Sequence, residues 1–228
     1  GLNDIHFSVQ LGVKPLYDNP QILKKLVEAN FKFIFLGIEN TNPKNLRLYG
    51  KTVKQMAMKA KTIVSYLRQH GIIVMGGFII GNPDDTKSDF YDVLTYAKRI
   101  KVDLAAFSAL QPYPKTKIRE ILLKRQLIFN KDDFSRYDGV TLNAKTTHLS
   151  RKEVEILREE LWSQFYDFNW LIWNNLRKVY PLYFARTLIR FTPRFLKYAF
   201  YDVTKRKTAY EIAQDILQSE KEFRNLKK

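Results

Sequence analysis

The chain has 228 residues, of which 45% are hydrophobic and 27% charged, a composition typical of one globular domain or slightly more. It contains no cysteine, which excludes disulfides, a thiolate nucleophile and thiolate metal sites from these residues. Its 39 basic and 23 acidic residues give a formal net charge of +16, so we expect a polyanionic partner or an anionic membrane surface. With no apolar stretch long enough to span a bilayer and no signal peptide, we expect a cytoplasmic protein, with peripheral membrane contact left open.

Short β-rich runs alternate with helical segments over the first 120 residues. Strands are predicted at residues 5–11, 33–38, 72–80 and 104–110. Apolar residues at helical spacing predict helices at about residues 20–35, 52–70 and 86–100. Apolar strands that alternate with helices are typical of a parallel sheet with helical crossovers. The predicted fold class is therefore α/β, with too few strands for a complete (β/α)₈ barrel.

The sequence changes character from about residue 115. Residues 115–129 are predicted to be helical, residues 130–147 loop or short strand, and residues 148–179 one long helix. Ser150 and Glu153 have the spacing of a capping box at the start of that helix. We therefore predict two domains, an α/β domain over residues 1–120 and a mainly helical C-terminal extension over residues 121–228.

Basic residues are concentrated between residues 171 and 207. Nine Lys or Arg stand there against one acid, Asp202. Helical spacing would bring Arg186, Arg190 and Arg194 to one face, beside aromatic residues. Three interpretations stay open: a helical appendage packed on the main domain, a helix that contacts an anionic membrane or an apolar substrate, and a nucleic-acid surface.

Three consecutive strand ends carry residues suited to a ligand. Glu39 ends the second strand, Gly81 the third, and Gln111 the fourth. Ligands of parallel α/β proteins bind at these C-terminal ends. A carboxylate there can hold ribose hydroxyls or an amine, and glycines let a flat ring approach the backbone. The alternative for Glu39 is an ion pair with a cation such as Lys51.

Other chemical motifs are weak. None of the three histidines stands in a metal-ligand pattern. Asp84 and Asp85 follow the third strand and could form a carboxylate pair, but we expect them to cap the following helix. Thr86, Ser88 and Asp89 are further candidates for that cap.

The strand ends resemble motifs of the radical S-adenosylmethionine (SAM) enzymes. "FKFIFLGIENTNPKNLRLYGKTV" (31–53) resembles their fourth-strand segment, and "GFIIGNPDD" (77–85) is similar to their fifth-strand motif G-x-I-x-G-x-x-E, with Asp84 in the Glu position. "FSALQPYPKT" (107–116) resembles the turn after the sixth strand, with Lys115 in place of a glycine. Residues 132–166 resemble the segment after the barrel in the branch of the cobalamin-dependent methyltransferases and the anaerobic magnesium-protoporphyrin ester cyclase.

The resemblance implies a partial parallel (β/α) TIM-like barrel that binds SAM and a [4Fe–4S] cluster for radical chemistry. Glu39 would meet the ribose or the methionine amine, and Lys51 the methionine carboxylate. The cofactor-binding residues implied in full are Glu39, Lys51, Gly77, Ile79, Gly81, Leu110 and Gln111. The catalytic residues stay unassigned.

This chain differs from the family in the ligands of the iron–sulfur cluster. Family members hold it with the three cysteines of C-x₃-C-x₂-C, and this chain has none. We therefore expect the C-terminal part of a longer enzyme that carries the cluster ligands elsewhere, rather than a degenerate member that only binds. The parent would act on a hydrophobic small molecule by methyl transfer or by oxidative or cyclising chemistry, with cobalamin left open. The alternative is a non-catalytic α/β module that docks on membrane or nucleic acid through the basic aromatic segment.

Overall fold

Four parallel strands form one sheet, and their order in space is their order in the chain. The computed structural model describes residues 5–49 and 53–167, without the side chains of residues 53–58. The strands are β1 (Phe7–Gly12), β2 (Phe31–Glu39), β3 (Ile73–Ile80) and β4 (Leu104–Ala109). The helices are α1 (Val13–Asp18), α2 (Gln21–Glu28), α3 (Pro43–Leu48), α4 (Val53–Gln69), α5 (Lys87–Ile100), α6 (Lys117–Lys124) and α7 (Arg151–Phe165), with a 3₁₀ turn at Phe134–Arg136. This sequential parallel order is an open arc of a (β/α) barrel, so the predicted α/β class is confirmed.

The predicted strands are all found, but the first predicted helix is too long. We expected it to run to residue 35, and α2 ends at Glu28 because Asn30 takes a left-handed conformation with φ of 60°. Asn tolerates that conformation better than most residues, and the turn lets β2 begin at Phe31. Phe31, Phe33, Ile34 and Phe35 fit both the helical and the strand period. Pairing with the neighbouring strands makes this segment a strand.

Two helices were missed by the sequence analysis because each has only six residues. The second of them, α3, carries a start signal that could have revealed it. Asn42 caps its N-terminus, with the side-chain Oδ1 accepting from Lys44 N at 2.9 Å, and Pro43 stands at the first helical position.

The two faces of the sheet differ in their cover. On β2, Ile34, Leu36 and Ile38 are buried in the main core against the helices. Phe33 and Phe35, on the opposite face, stay partly exposed. Side chains alternate between the two faces of a strand, so this pattern defines a helix-covered face and an opposite face, which we call the inner face.

The two edges of the sheet differ as well. At the outer edge of β4 the Tyr166 hydroxyl donates to the carbonyl oxygen of Ala105 at 2.7 Å and accepts from its N–H at 3.0 Å. Farther along the same edge, Ala109 N donates to Gly139 O at 2.8 Å. The outer edge of β1 pairs with no strand in the described part of the chain. Later residues therefore hydrogen-bond to the outer edge of β4, whereas the outer edge of β1 has no strand partner among the described residues.

Helix α7 packs into the same core as the strands. Its residues Val154, Leu157, Leu161 and Phe165 are buried there, and the predicted Ser150–Glu153 capping box is present. The helix ends at Phe165, so the prediction of an unbroken helix to residue 179 is wrong at Tyr166, whose hydroxyl is engaged with β4. The domain boundary at residue 120 stays a prediction.

The basic region and the aromatic residues around it lie outside the described residues. The predicted membrane or nucleic-acid contact through residues 181–207 therefore stays a prediction. Within the described residues, no helix combines the length and the apolar character needed to cross a membrane.

A buried ion pair joins α4 to the segment before β4, near the N-terminal ends of β3 and β4. Arg68 Nε lies 2.8 Å from Asp103 Oδ1, and Asp103 Oδ2 accepts from Val74 N at 2.9 Å. Burial raises the pKa of the Asp103 carboxyl above its ordinary value, although Arg68 opposes the shift. A charge this buried is tolerated only while its partners stay in place.

Asp103→Asn should lower the free energy of unfolding by about 3 kcal/mol, because it leaves the Arg68 guanidinium without its buried counter-charge. Urea unfolding of both proteins measures the difference. Lys24→Gln, which removes an exposed helix-surface ion pair with Glu28, is the control and should change stability by less than about 0.5 kcal/mol. Equal effects of the two substitutions would contradict a structural role for the buried pair.

Candidate functional site

The C-terminal ends of β2, β3 and β4 lie side by side at one edge of the sheet. Glu39 pairs with Phe78 on β3, and Leu110 N donates to Ile80 O at 2.9 Å. The structure thus brings together all the predicted SAM-binding residues except Lys51, which lies outside the described residues. Gly77, Ile79 and Gly81 come from the middle strand, Leu110 and Gln111 from its neighbour.

A row of residues without large side chains crosses the inner face just before these ends. Gly12 pairs with Gly37, Gly37 with Gly77, and Gly77 with Ala106. We call this row the bare strip. Neighbouring groups can lie close to the backbone along such a strip, because no side chain rises from it beyond a methyl. The sequence singled out Gly77 alone, since the other members can be found only from the strand register.

Gly77 already has a close neighbour, the ring of Phe35. A Cβ at Gly77 would lie 2.5 Å from Phe35 Cζ, far inside van der Waals contact. The absence of a side chain at Gly77 therefore makes room for this ring. A flat ligand at Gly77 would therefore contact the Phe35 ring. The contact between Gly77 and adenine stays a prediction, and Phe35 would take part in it.

Gly76 and Gly81 have other reasons to be glycine. A Cβ at Gly76 would lie 2.9 Å from Phe78 and 3.0 Å from Val102 in the helix-covered core, so Gly76 serves packing. Gly81 has φ of 78°, a left-handed conformation that glycine adopts without strain, and it turns the chain at the end of β3.

Glu39 combines a strained backbone with a carboxylate that folds back over the bare strip. Its φ is 74°, uncommon for a residue with a side chain, and the pairing of β2 with β3 is irregular between Gly37 and Glu39. Its Oε1 lies 2.9 Å from the position of a Cβ at Gly37. A side chain at Gly37 would displace the carboxylate, so the glycine and the acid form one arrangement.

A buried polar network ties the loop after β2 to the loop after β3. Asp85, which is only 2% exposed, accepts from Asn45 Nδ2 at 2.7 Å, from Asn82 N at 2.8 Å and from Asn82 Nδ2 at 2.9 Å. The Tyr49 hydroxyl donates to Asn82 Oδ1. Burial raises the pKa of Asp85 above its ordinary value, although the bonds from Asn82 and Asn45 oppose the shift. We call Asn40, Asn45, Tyr49, Asn82 and Asp85 the strand-end network.

Tyr49 connects this network electrostatically to Glu39. Burial, and then the negative charges of Asp85 and Glu39, raise the pKa of Tyr49 well above its ordinary value. The hydroxyl therefore stays protonated and remains a hydrogen-bond donor.

The expectation that Asp84 and Asp85 cap the next helix is wrong. Thr86 is the N-cap of α5 and forms a capping box with Asp89. Asp84 lies at the surface in an ion pair with Arg125, while Asp85 turns inward. The two acids do not act as a carboxylate pair, since each bonds to partners of its own.

Gln111 is engaged in holding the long loop that follows β4. Its Nε2 donates to Thr141 O at 2.9 Å, and its Oε1 accepts from Asn143 Nδ2 at 2.6 Å. Leu110 packs in a small apolar cluster, against which Ile79 is packed. These residues shape the rim of the site, and the amide of Gln111 is committed to the loop.

No metal-binding cluster is found within the described part of the chain. No three His, Asp or Glu side chains lie there close enough to hold a metal ion. The complete chain has no cysteine, so it offers no thiolate to an iron–sulfur cluster.

Several curated proteins are similar to this chain. An uncharacterized methyltransferase of Pyrococcus horikoshii is 26% identical over 149 residues, which are 65% of this chain and 32% of the relative. Bacteriochlorophyllide d C-8(2)-methyltransferase of Chlorobaculum tepidum is 29% identical over 143 residues, 63% of this chain and 31% of the relative. Anaerobic magnesium-protoporphyrin IX monomethyl ester cyclase of Cereibacter sphaeroides is 26% identical over 155 residues, 68% and 24% of the two chains. No protein-family model matches the sequence.

The chain spans a third or less of the length of these relatives. Among solved structures, coproporphyrinogen III oxidase of Escherichia coli, described as a radical SAM enzyme, is similar with a TM-score of 0.51 and 15% identity, over 72% of this chain and 32% of that one. At that identity the similarity concerns the fold, and it confirms the partial (β/α) barrel. Methyltransferases and this cyclase among the relatives confirm the resemblance drawn from the motifs.

Alanine substitutions at three glycines should distinguish a glycine required by core packing from one that makes room for the Phe35 ring. Gly76→Ala should lower the free energy of unfolding by about 2 kcal/mol because it overpacks the core, and Gly77→Ala by about 1 kcal/mol because the partly exposed Phe35 ring can move. Gly12→Ala, where a Cβ meets its nearest atom at 3.7 Å, is the control and should cost nothing. Urea unfolding measures all three proteins.

Phe35→Leu should remove most of the penalty of Gly77→Ala when the two substitutions are combined. An additive double variant would show that Phe35 does not cause the cost at Gly77.

Proposed function

We propose, on the premise that the chain resembles the radical SAM enzymes in sequence and fold, that it is the SAM-binding part of a longer enzyme of that kind. The observation that carries the proposal is the Glu39 carboxylate folded over the bare strip at the C-terminal edge of the sheet. It puts an anionic acceptor on the inner face of the sheet, beside the Phe35 ring that lies over Gly77.

The chemistry of these residues fits the parts of SAM. The Glu39 carboxylate would accept hydrogen bonds from the ribose hydroxyls or the methionine amine, and charge-assisted bonds of this kind are the stronger ones. The adenine would lie along β3 near Gly77 and Ile79, with the Phe35 ring as a stacking surface. Lys51 would meet the methionine carboxylate.

The iron–sulfur cluster does not fit this chain, because it needs thiolates and the chain has none. We propose that the ligands of the cluster belong to another part of the parent protein. The outer edge of β1 supports this view, since it pairs with no strand in the described residues and further strands of a barrel could pair with it.

The proposed activity of the parent is methyl transfer or an oxidative or cyclising reaction on a hydrophobic small molecule. The names of the relatives support this range, since they are methyltransferases and a cyclase whose named substrates are tetrapyrroles.

SAM binding by the whole chain tests the proposal directly. Isothermal titration calorimetry should detect binding, and Glu39→Gln should weaken it about tenfold, because a bond to a charged group is worth about 1.5–3 kcal/mol and 1.4 kcal/mol corresponds to tenfold. Glu28→Gln, at an exposed helix-surface ion pair, should leave the affinity unchanged. Absence of binding to a chain whose circular dichroism shows it folded would overturn the proposed function.

We also propose that the protein works in the cytoplasm and that residues 181–207 contact an anionic membrane surface. Seven basic residues against one acid support this contact. Vesicles with anionic lipid should sediment the chain in low salt, and changing Arg186, Arg190 and Arg194 together to Glu should abolish sedimentation. Neutral vesicles serve as the control, and undiminished sedimentation of the variant would exclude the contact.

A further inference from the structure

The carboxylate of Asp85 stands at the centre of the strand-end network and faces no solvent. One oxygen accepts from the side chain of Asn45 in α3, and the other accepts from the backbone and the side chain of Asn82 after β3. Protein donors thus occupy both oxygens. A ligand at the sheet edge has no access to them, so any effect of Asp85 on a ligand must pass through its partners.

Two hydrogen bonds lead from Asp85 through Asn45 to Asn40, the residue that follows Glu39. Asn45 Nδ2, which donates to Asp85, also lies 3.3 Å from Asn40 Oδ1. Asn40 Nδ2 in turn donates to Ile79 O on β3 at 2.9 Å. Asn40 directly follows Glu39, and its N–H donates to Ile38 O at 3.1 Å, so this residue fixes the tight turn in which Glu39 takes its left-handed backbone.

Backbone strain needs support from surrounding contacts, because an isolated residue would relax to a commoner conformation. Asn40 and Asn45 provide that support at Glu39, and Asn82 holds the turn at the end of β3. Asp85 is the acceptor shared by the two sides. Removing the negative charge would loosen the turns on both sides at once.

We propose that Asp85 is a positioning residue, which holds Glu39 and the Gly81–Asn82 turn at a fixed spacing through Asn45, Asn40 and Asn82. Its consequence for SAM affinity rests on the proposed function. The motif resemblance put Asp84 in the acidic position, and the structure assigns the positioning role to its neighbour.

The chain offers two matched controls for an Asp85→Asn variant. Asp84→Asn changes the adjacent acid, which is 51% exposed and paired with Arg125 at the surface. Asp103→Asn changes another buried carboxylate that bridges two parts of the chain, at the opposite end of the sheet. A purely structural role predicts that Asp85→Asn and Asp103→Asn behave alike, whereas a positioning role separates them.

The first measurement is hydrogen–deuterium exchange of the complete chain without ligand. In Asp85→Asn the amides of residues 38–42 and 80–82 should exchange at least about tenfold faster relative to those of α7, because local opening there becomes easier. In Asp103→Asn the exchange of these two segments should not accelerate relative to that of α7, and in Asp84→Asn their exchange rates should be unchanged. Unchanged exchange of both segments in Asp85→Asn overturns the proposal, whether or not SAM binds.

The second measurement is calorimetric titration with SAM. Asp85→Asn should weaken binding about tenfold or more, with both controls close to the unchanged chain. If the unchanged chain binds SAM and Asp85→Asn binds it equally well, the positioning role is wrong while the proposed function stands. If the unchanged chain does not bind, the proposed function fails, and the exchange experiment still decides the role of Asp85.

A transposed pair gives a rescue that a structural defect would not allow. In Asn45→Asp combined with Asp85→Asn, the amide at position 85 can donate to the carboxylate at position 45, so one bond between the loops is restored with its direction reversed. Exchange in residues 80–82 should recover toward that of the unchanged chain, whereas residues 38–42 should stay fast, because a carboxylate at position 45 cannot donate to Asn40 Oδ1. A double variant no better than Asp85→Asn would contradict a role that depends on the bond between these two positions.

Discussion

The parallel register of β2 and β3 is the constraint on which the core and the candidate site both depend. Pairing Gly37 with Gly77 puts two residues without side chains next to each other on the inner face. The same register sends Ile34, Leu36 and Ile38 into the helix-covered core. A slip by one residue would turn the apolar set outward and fill the bare strip with bulky side chains. Burial of the core, which dominates folding energetics, therefore also fixes the geometry of the strip.

The loops beyond the strand ends have no such apolar constraint, and buried polar groups hold them instead. Burying a carboxylate among neutral donors is costly unless every oxygen is bonded. Asp85 meets that condition through Asn45 and Asn82, and Tyr49 stays protonated beside it. Such a network specifies one arrangement of the two loops, because a shifted loop would leave a buried charge without donors. The loop after β4 follows the same principle with neutral groups, through Gln111 and Asn143.

The sequence predicts the helices and strands of this fold better than it predicts the loops. The strands, α4 and α5 follow from the spacing of apolar residues, and the strand ends at Glu39 and Gly81 follow from the strands. Which of two neighbouring acids turns inward depends on the path of a loop, so Asp85 could not be told from Asp84. The partner of Gln111 lies 32 residues away, beyond the reach of any local pattern. Gly12 and Gly37 gained their meaning only from pairing between strands.

Backbone conformation connects the loops to the site. Five non-glycine residues in the described part of the chain have positive φ. Asn30, Lys101 and Gln126 lie just past the last turns of α2, α5 and α6, where helices commonly end in this conformation. Glu39 is the last residue of β2, and Lys115 directly precedes the N-cap of α6. Strain that secondary structure does not explain is typical of ligand sites, and Glu39 has it at the end of β2, where its carboxylate faces the bare strip.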